Sequence, residues 1–283
     1  MNMNLPRIIW IYWDQGSTRL PFVVGHCVAS WRARHPDWEV RLLERSQLSQ
    51  WITVQDIEPR PDMPVQLFTD LVRLRLLRAH GGVWADATLF CVQPLPAWLP
   101  PRLQQGFFAF ASQRPDRLMT NWFLAATPQS PLLQGWSRDM ETFFAQRHFP
   151  PQTGWRRQLI RRLTSLRKRG LLPNRIWFHP LVSDTLKLRP YPLPMYQFGD
   201  TLERHPALAN QWRERDVLYD TGAEWLQNRL GMNQALTPEG RAFIDSDATP
   251  VHKLNWRQDP GRLEPATHLG YLLTTRDAGQ PGD

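Results

Sequence analysis

Three observations predict an α/β fold with parallel strands: an apolar strand near the start, a helix after it, and a second strand behind that helix. Arg7-Ile8-Ile9-Trp10-Ile11-Tyr12-Trp13 is a β-branched and aromatic run, as expected of a strand covered on both faces. Asp14-Gln15-Gly16-Ser17 then supplies turn chemistry. Residues 21–34 predict a helix with Pro21 at its first position and His35-Pro36 closing it. Residues 38–43 read as the second strand.

Residues 59–64 hold Pro59, Pro61 and Pro64 and read as a loop. Across residues 65–80, Val65, Phe68, Val72, Leu76 and Ala79 recur at helical spacing, and Leu67, Leu71 and Leu74 widen the stripe. Gly81-Gly82 ends this helix, the first glycine suiting a left-handed cap. A short strand over residues 83–85 stops at Asp86. Residues 106–111 and 121–126 predict further strands, and residues 130–147 a helix. No internal repeat is present.

With 283 residues the chain makes one large or two small domains. Its 42% hydrophobic and 21% charged content can bury a core. No run reaches the ~18 apolar residues of a membrane-spanning helix, and the first residues lack the basic region of a signal peptide. Cys27 and Cys91 cannot build a disulfide framework or a four-cysteine zinc site. These features predict a protein of the reducing cytoplasm. The net charge is +8 and the pI near 10.2, and only Lys168, Lys187 and Lys253 are lysines. Arginine suits bidentate contact with phosphate or carboxylate, so a polyanionic partner is one reading and codon usage in a GC-rich genome the other. The 14 tryptophans serve a core or stack on bases and sugar rings.

Residues 155–169 predict a basic amphipathic helix. Trp155, Leu159, Leu163 and Leu166 share one face, and Arg156, Arg157, Arg161, Arg162, Arg167, Lys168 and Arg169 crowd the rest. Such a helix lies on an anionic membrane or docks on the core with a solvated outer face.

The chemistry concentrates in Thr69-Asp70-Leu71-Val72-Arg73 and Gly81-Gly82-Val83-Trp84-Ala85-Asp86-Ala87-Thr88. Asp70 and Arg73, at i and i+3, project from one side of a helix. The double glycine returns the chain as a strand presenting Asp86 at its carboxyl end, where ligands bind in open α/β sheets. A carboxylate, a guanidinium and a second carboxylate then converge. The plainer alternative is an exposed ion pair plus a capping aspartate.

Thr-Asp-x-x-Arg followed by Gly-Gly-Val-Trp-x-Asp-x-Thr resembles the capsular polysaccharide synthesis family of glycosyltransferases. That family is similar to the Och1-like mannosyltransferases and, more distantly, to large glucosylating toxins. Pro6 to Trp13 with Gln15-Gly16 resembles the opening of these enzymes, and Pro250-Val251-His252-Lys253-Leu254-Asn255-Trp256 their closing segment. The resemblance implies a GT-A-type α/β domain over residues 1–257, a Rossmann-like mixed sheet flanked by helices with additional C-terminal helices. Residues 258–283, rich in Gly, Pro, Asp and Thr, are then a partly disordered tail.

The resemblance also implies roles. Trp13 stacks on the nucleobase of a nucleotide-sugar donor. Asp70 and Arg73 hold the donor sugar, Trp84 and Asp86 complete the donor site, and Lys253 or Trp256 approaches the diphosphate. Asp86, Thr88 and His252 hold a divalent metal, Mn²⁺ or Mg²⁺. Thr88 stands where the D-x-D motif has its second aspartate, and a neutral hydroxyl is a weak ligand, so metal dependence is open. Asn121, in Asn121-Trp122-Phe123-Leu124, resembles an acceptor-side residue; its alternative is a capping asparagine in a buried strand. His179 reads as a core histidine, His26 and His35 as helix residues, Asp245 and Asp247 as a solvated pair, and Cys27 and Cys91 as buried hydrophobes.

The expected function is transfer of a sugar, with retention, from a nucleotide-diphosphate sugar to a surface polysaccharide or lipid-linked acceptor. The enzyme is expected in the cytoplasm, with attachment to the inner face of the membrane as one reading of the basic helix. A non-catalytic, membrane-associated scaffold of polysaccharide assembly is the first alternative and a basic nucleic-acid-binding protein the weaker second. Nucleic acid is not an expected partner, because the basic residues lack interleaved exposed aromatics.

Overall fold

The structure, a computed structural model, describes residues 5–276 apart from 19, 56, 58–62, 104 and 146. The loop expected at residues 59–64 lies mostly outside the described residues. Strand β1 (Ile8–Tyr12), helix α1 (Phe22–Arg34) and strand β2 (Glu39–Leu43) form the expected unit, β1 and β2 pairing in parallel with Ile8 opposite Glu39. Helix α2 (Val65–His80) leads to β3 (Gly82–Ala85), which pairs in parallel with the other side of β1. Next come β4 (Leu89–Cys91), the one-turn α3 (Leu95–Trp98), β5 (Phe107–Ala111) and β6 (Met119–Ala126).

The main sheet runs β2-β1-β3-β6-β5. Both pairings of β6 are antiparallel, so the sheet is mixed, parallel on one side of β3 and antiparallel on the other. Both faces are covered, which explains why its strands carry so few polar residues. Ile9, Ile11, Val83, Ala85, Phe123 and Ala125 pack on one side with Val24, Val28 and Trp31 of α1. Trp10, Trp84 and Leu124 pack on the other with Leu71 and Val72 of α2. That second layer is completed by α4 (Pro131–Ala145) and α6 (Leu193–Arg204).

The Gly81-Gly82 turn joins α2 to β3 under tight steric limits. Gly81 has φ +67° and Gly82 φ +92°, a region that favours glycine. A Cβ on Gly82 would come within 2.5 Å of the Ile8 carbonyl oxygen, so β3 can approach β1 only with glycine here. Trp10 Nε1 donates to the Gly81 carbonyl at 2.9 Å, fixing the turn to the central strand.

Helix α5 (Gly154–Lys168) lies outside the layers, followed by α7 (Pro206–Arg213), α8 (Asp220–Trp225) and α9 (Pro238–Asp245). Strand β7 (Val251–Lys253) then pairs antiparallel with β4, placing Lys253 opposite Leu89. Helix α10 (His268–Thr275) closes the described chain. Its Leu269, Leu272 and Leu273 pack with Phe90, Leu226 and Ile244 in a third apolar cluster. Within residues 258–283, expected as a partly disordered tail, α10 thus packs on the core; residues 277–283 are outside the described residues. Among the described residues no helix is long and apolar enough to cross a membrane.

Candidate active site

Asp70 and Arg73 lie one turn apart on α2, with side chains only 11% and 7% exposed. That burial excludes a solvated surface pair. Arg73 Nη2 is 3.2 Å from Asp70 Oδ1 and 3.4 Å from Asp86 Oδ1, so one guanidinium bridges both carboxylates. Asp86 reaches it because its amide still donates to the Trp122 carbonyl at 2.8 Å, one step past β3. Trp84 and Asp86, two residues apart, share a strand face. Trp84 Nε1 therefore donates to Asp86 Oδ1 at 2.9 Å, and the Arg73 guanidinium lies 5.0 Å from the Trp84 ring centroid.

Asn121, on β6, joins this group from the opposite side. Its Nδ2 donates to Asp70 Oδ1 at 2.8 Å, and its carbonyl accepts from Arg73 Nη1. It brackets the acid–base pair as well as facing the cavity, a task the sequence reading did not give it. Burial is the largest influence on Asp70 and pushes its carboxyl up to about 6. The Asp86 charge adds to this, while Arg73, Arg189 and the Asn121 amide oppose it.

Lys253 completes the cluster. The β4–β7 pairing and a bond from the Leu254 amide to the Thr88 carbonyl at 2.8 Å set β7 beside residue 88. Lys253 Nζ then donates to Thr88 Oγ1 at 2.5 Å and to Asp86 Oδ2 at 3.3 Å.

These side chains line a cavity of about 510 Å³. Trp13 and Trp256 line it as well, their rings 5.6 Å apart at 83°. Tyr191, Gln227, Asn255 and Arg257 also face the cavity, and the sequence reading assigned nothing to them. For Tyr191 the available signal was its setting in Arg189-Pro190-Tyr191-Pro192, where two prolines restrict the backbone around an exposed ring.

His252 is not among them. Side chains alternate along a strand, so with Lys253 turned to the cavity its neighbour faces the opposite way. His252 is 1% exposed and packs 5.6 Å from the Phe243 ring. Burial, aided by Arg276, lowers its pKa to about 3. It is a neutral core histidine and does not join Asp86 and Thr88 as a metal ligand. Among the described residues no three His, Cys, Asp or Glu side chains gather to hold a metal ion. Asp86 offers one carboxylate whose two oxygens already face Trp84, Arg73 and Lys253. A divalent cation favours several oxygen ligands, and this donor set does not fit one.

The remaining assignments are structural. Cys27 and Cys91 are free and buried, and burial pushes both thiols up. His179, expected in the core, is instead exposed, and its Nδ1 accepts from the Leu181 amide at 3.2 Å. Asp245 accepts from the Tyr271 hydroxyl at 2.9 Å, and Asp247 pairs with Arg276 at 3.1 Å. On α5, Leu159, Ile160 and Leu163 pack against the core and Arg167 Nη2 donates to the Asp116 carbonyl at 2.6 Å. Part of the apolar face expected to meet a membrane is thereby used internally.

Known proteins resemble about half of the chain. The O-glycosyltransferase braB of Annulohypoxylon truncatum is 30% identical over 150 residues, covering 45% of this chain and 35% of that protein. The putative glycosyltransferase HOC1 of Saccharomyces cerevisiae is 25% identical over 158 residues, covering 47% and 38%. The chain therefore spans little more than a third of the length of either relative. A solved structure, PaToxG Glycosyltransferase, aligns with a TM-score of 0.39 and 14% identity over 74% of this chain and 73% of that one, too slight a likeness to support an argument. Residues 1–152, more than half of the chain and the segment carrying Asp70, Arg73, Asp86 and Asn121, match the family described as Capsular polysaccharide synthesis protein, and the chain belongs to that family.

Proposed function

We propose that the protein is a glycosyltransferase moving a sugar from a nucleoside-diphosphate donor to a hydroxyl of a glycan or lipid-linked acceptor. The observation that carries this reading is the meeting of Asp70, Arg73, Asp86 and Lys253 in one cavity with Trp13 and Trp256. The names of the relatives, both glycosyltransferases, support it.

In this reaction the bond from the anomeric carbon to the β-phosphate oxygen breaks, and its electron pair leaves on the diphosphate. A bond forms from the anomeric carbon to the acceptor oxygen, whose proton is released. Negative charge grows on the diphosphate and positive charge on the sugar ring. Lys253 and Arg257 supply cations for the first, and the carboxylates of Asp70 and Asp86 face the second. The Trp13 indole provides an apolar face for a base. We assign Tyr191 to the acceptor side, because sugar rings stack on exposed aromatic faces. We also propose retention at the anomeric carbon.

Purified protein offered UDP- and GDP-sugars should release free nucleoside diphosphate from at least one of them. Asp86→Asn should lower release about 100–1,000-fold while keeping the wild-type melting temperature. Release at wild-type rate from that variant would remove Asp86 from the chemistry.

A membrane-facing role for α5 is a second, compatible proposal. Trp155 is 51% exposed and Leu171, just beyond the helix, 65%. Arg157, Arg161, Arg162, Lys168 and Arg169 are exposed beside them. An apolar anchor flanked by cations suits an anionic bilayer surface, which would set the enzyme at the cytoplasmic face where lipid-linked acceptors are presented.

A further inference from the structure

We propose that Lys253 takes the place of a divalent cation at the Asp86–Thr88 pair, so that the diphosphate of the donor is bound and released without metal. This inference rests on the glycosyl-transfer reading. Three features of the structure support it.

The first is position. Lys253 Nζ stands between Asp86 Oδ2 and Thr88 Oγ1, two of the three side chains expected to bind a metal. The paired backbones of β4 and β7 keep it there. An ammonium group has three N–H donors. Two are used on Asp86 and Thr88, which leaves one for a phosphate oxygen in the cavity.

The second is charge balance. Two aspartates around a divalent ion make a neutral group, and one aspartate with a threonine around a single ammonium makes a neutral group as well. Replacing an acid by Thr88 therefore matches replacing a doubly charged cation by a singly charged one. A divalent ion added to the present set would leave excess positive charge beside Arg73, which lies 3.4 Å from the same carboxylate.

The third is the missing coordination shell. His252 is turned into the core, Asp70 is held by Arg73 and Asn121, and among the described residues no three His, Cys, Asp or Glu side chains gather to complete a site. The bond-breaking step needs no redox partner. As the anomeric C–O bond breaks, the electron pair moves onto the phosphate oxygen, and the Lys253 N–H bonds to that oxygen while keeping its proton.

Calorimetric binding of UDP and of GDP, run in EDTA and again with Mn²⁺, tests this directly. Affinity for the preferred nucleotide should change less than about threefold between the two conditions. Lys253→Met should weaken binding in EDTA by about 10–100-fold, with the fold checked by melting temperature. Lys253→Arg, which keeps a cation at the site, should recover most of that loss. The double variant Thr88→Asp with Lys253→Met rebuilds an acidic pair and should bind only when Mn²⁺ is present. Wild-type binding that disappears in EDTA and returns with Mn²⁺ overturns the inference but leaves the donor reading standing. Absence of binding to either nucleotide in both conditions overturns both.

Discussion

Arginine does different work in the cavity and on α5. Arg73 is buried and bridges two carboxylates, with its remaining Nη on the Asn121 carbonyl. Arg157, Arg161 and Arg162 are exposed on a helix that docks through its leucines. In the cavity, taking charge out of water is tolerable only because each charge has a fixed partner, so geometry is specified residue by residue. On the helix water solvates each guanidinium and salt screens it within about 10 Å. The number of charges there sets a field, and no single one sets a geometry. The first arrangement suits chemistry and the second suits adhesion.

The largest expected effect comes from emptying the cavity centre. Arg73→Ala would leave Asp70 buried beside Asp86 without its bridging cation, costing about 3–5 kcal/mol in urea unfolding. Arg161→Ala should change stability by less than about 0.5 kcal/mol. Equal costs at the two sites would erase the distinction. Arg73→Lys should fail as well, since one ammonium cannot span Asp70, Asp86 and the Asn121 carbonyl together. Asp86→Asn comes next and keeps the shape of the site. Release of nucleoside diphosphate should fall about 100–1,000-fold, with the unfolding midpoint little altered.

The third effect is a pH dependence confined to the buried cluster. Asp70 has a pKa of about 6 in the folded protein against 3.8 as its ordinary value. Folding therefore makes this carboxyl hold its proton more tightly. Its stabilising contribution is full below pH 3.8 and is lost as pH rises through 6. From pH 4 to pH 7 wild type should lose about 2 kcal/mol relative to Asp70→Asn. Donor turnover should show the opposite trend, falling below pH 6 as Asp70 is neutralised and releases Arg73. Parallel pH curves for the two proteins in urea unfolding would contradict the assignment.

The same contrast explains which parts of the molecule were legible in the sequence. The α2 periodicity, the Gly81-Gly82 turn and Asp86 at the end of β3 are local, and each is specified within about a dozen neighbouring residues. Those features brought Asp70, Arg73 and Asp86 together as expected. The sequence puts Lys253 near the diphosphate, but its bond to Thr88 depends on a strand pairing that sets Leu89 opposite Lys253, 164 positions away. The outward or inward phase of a three-residue strand is set by that pairing alone, which is why His252 was put on the wrong side. Asn121 reaches Asp70 across 51 positions, and neither residue carries a signal of the other. In α10 the apolar Leu269, Leu272 and Leu273 are surrounded by glycine, proline and polar residues, so average composition hid a helix whose burial only the tertiary structure decides.

The smallest expected effect on stability is at α5, and it tests the other half of the comparison. Arg161→Glu with Arg162→Glu reverses two exposed charges, and it should shift the unfolding free energy by less than about 1 kcal/mol. Release of nucleoside diphosphate in solution should be unchanged, because the altered side chains do not line the cavity. Association with phosphatidylserine-containing vesicles should change strongly. Each cation near an anionic surface contributes about 1 kcal/mol, and reversing two of them removes attraction and adds repulsion. Flotation of wild type but not of the variant, with the difference shrinking as salt is raised, would place adhesion on α5 and chemistry in the cavity. A wild-type protein that does not float would leave the basic helix as a solvated face, and a variant that lost turnover in solution would show that the two regions are coupled.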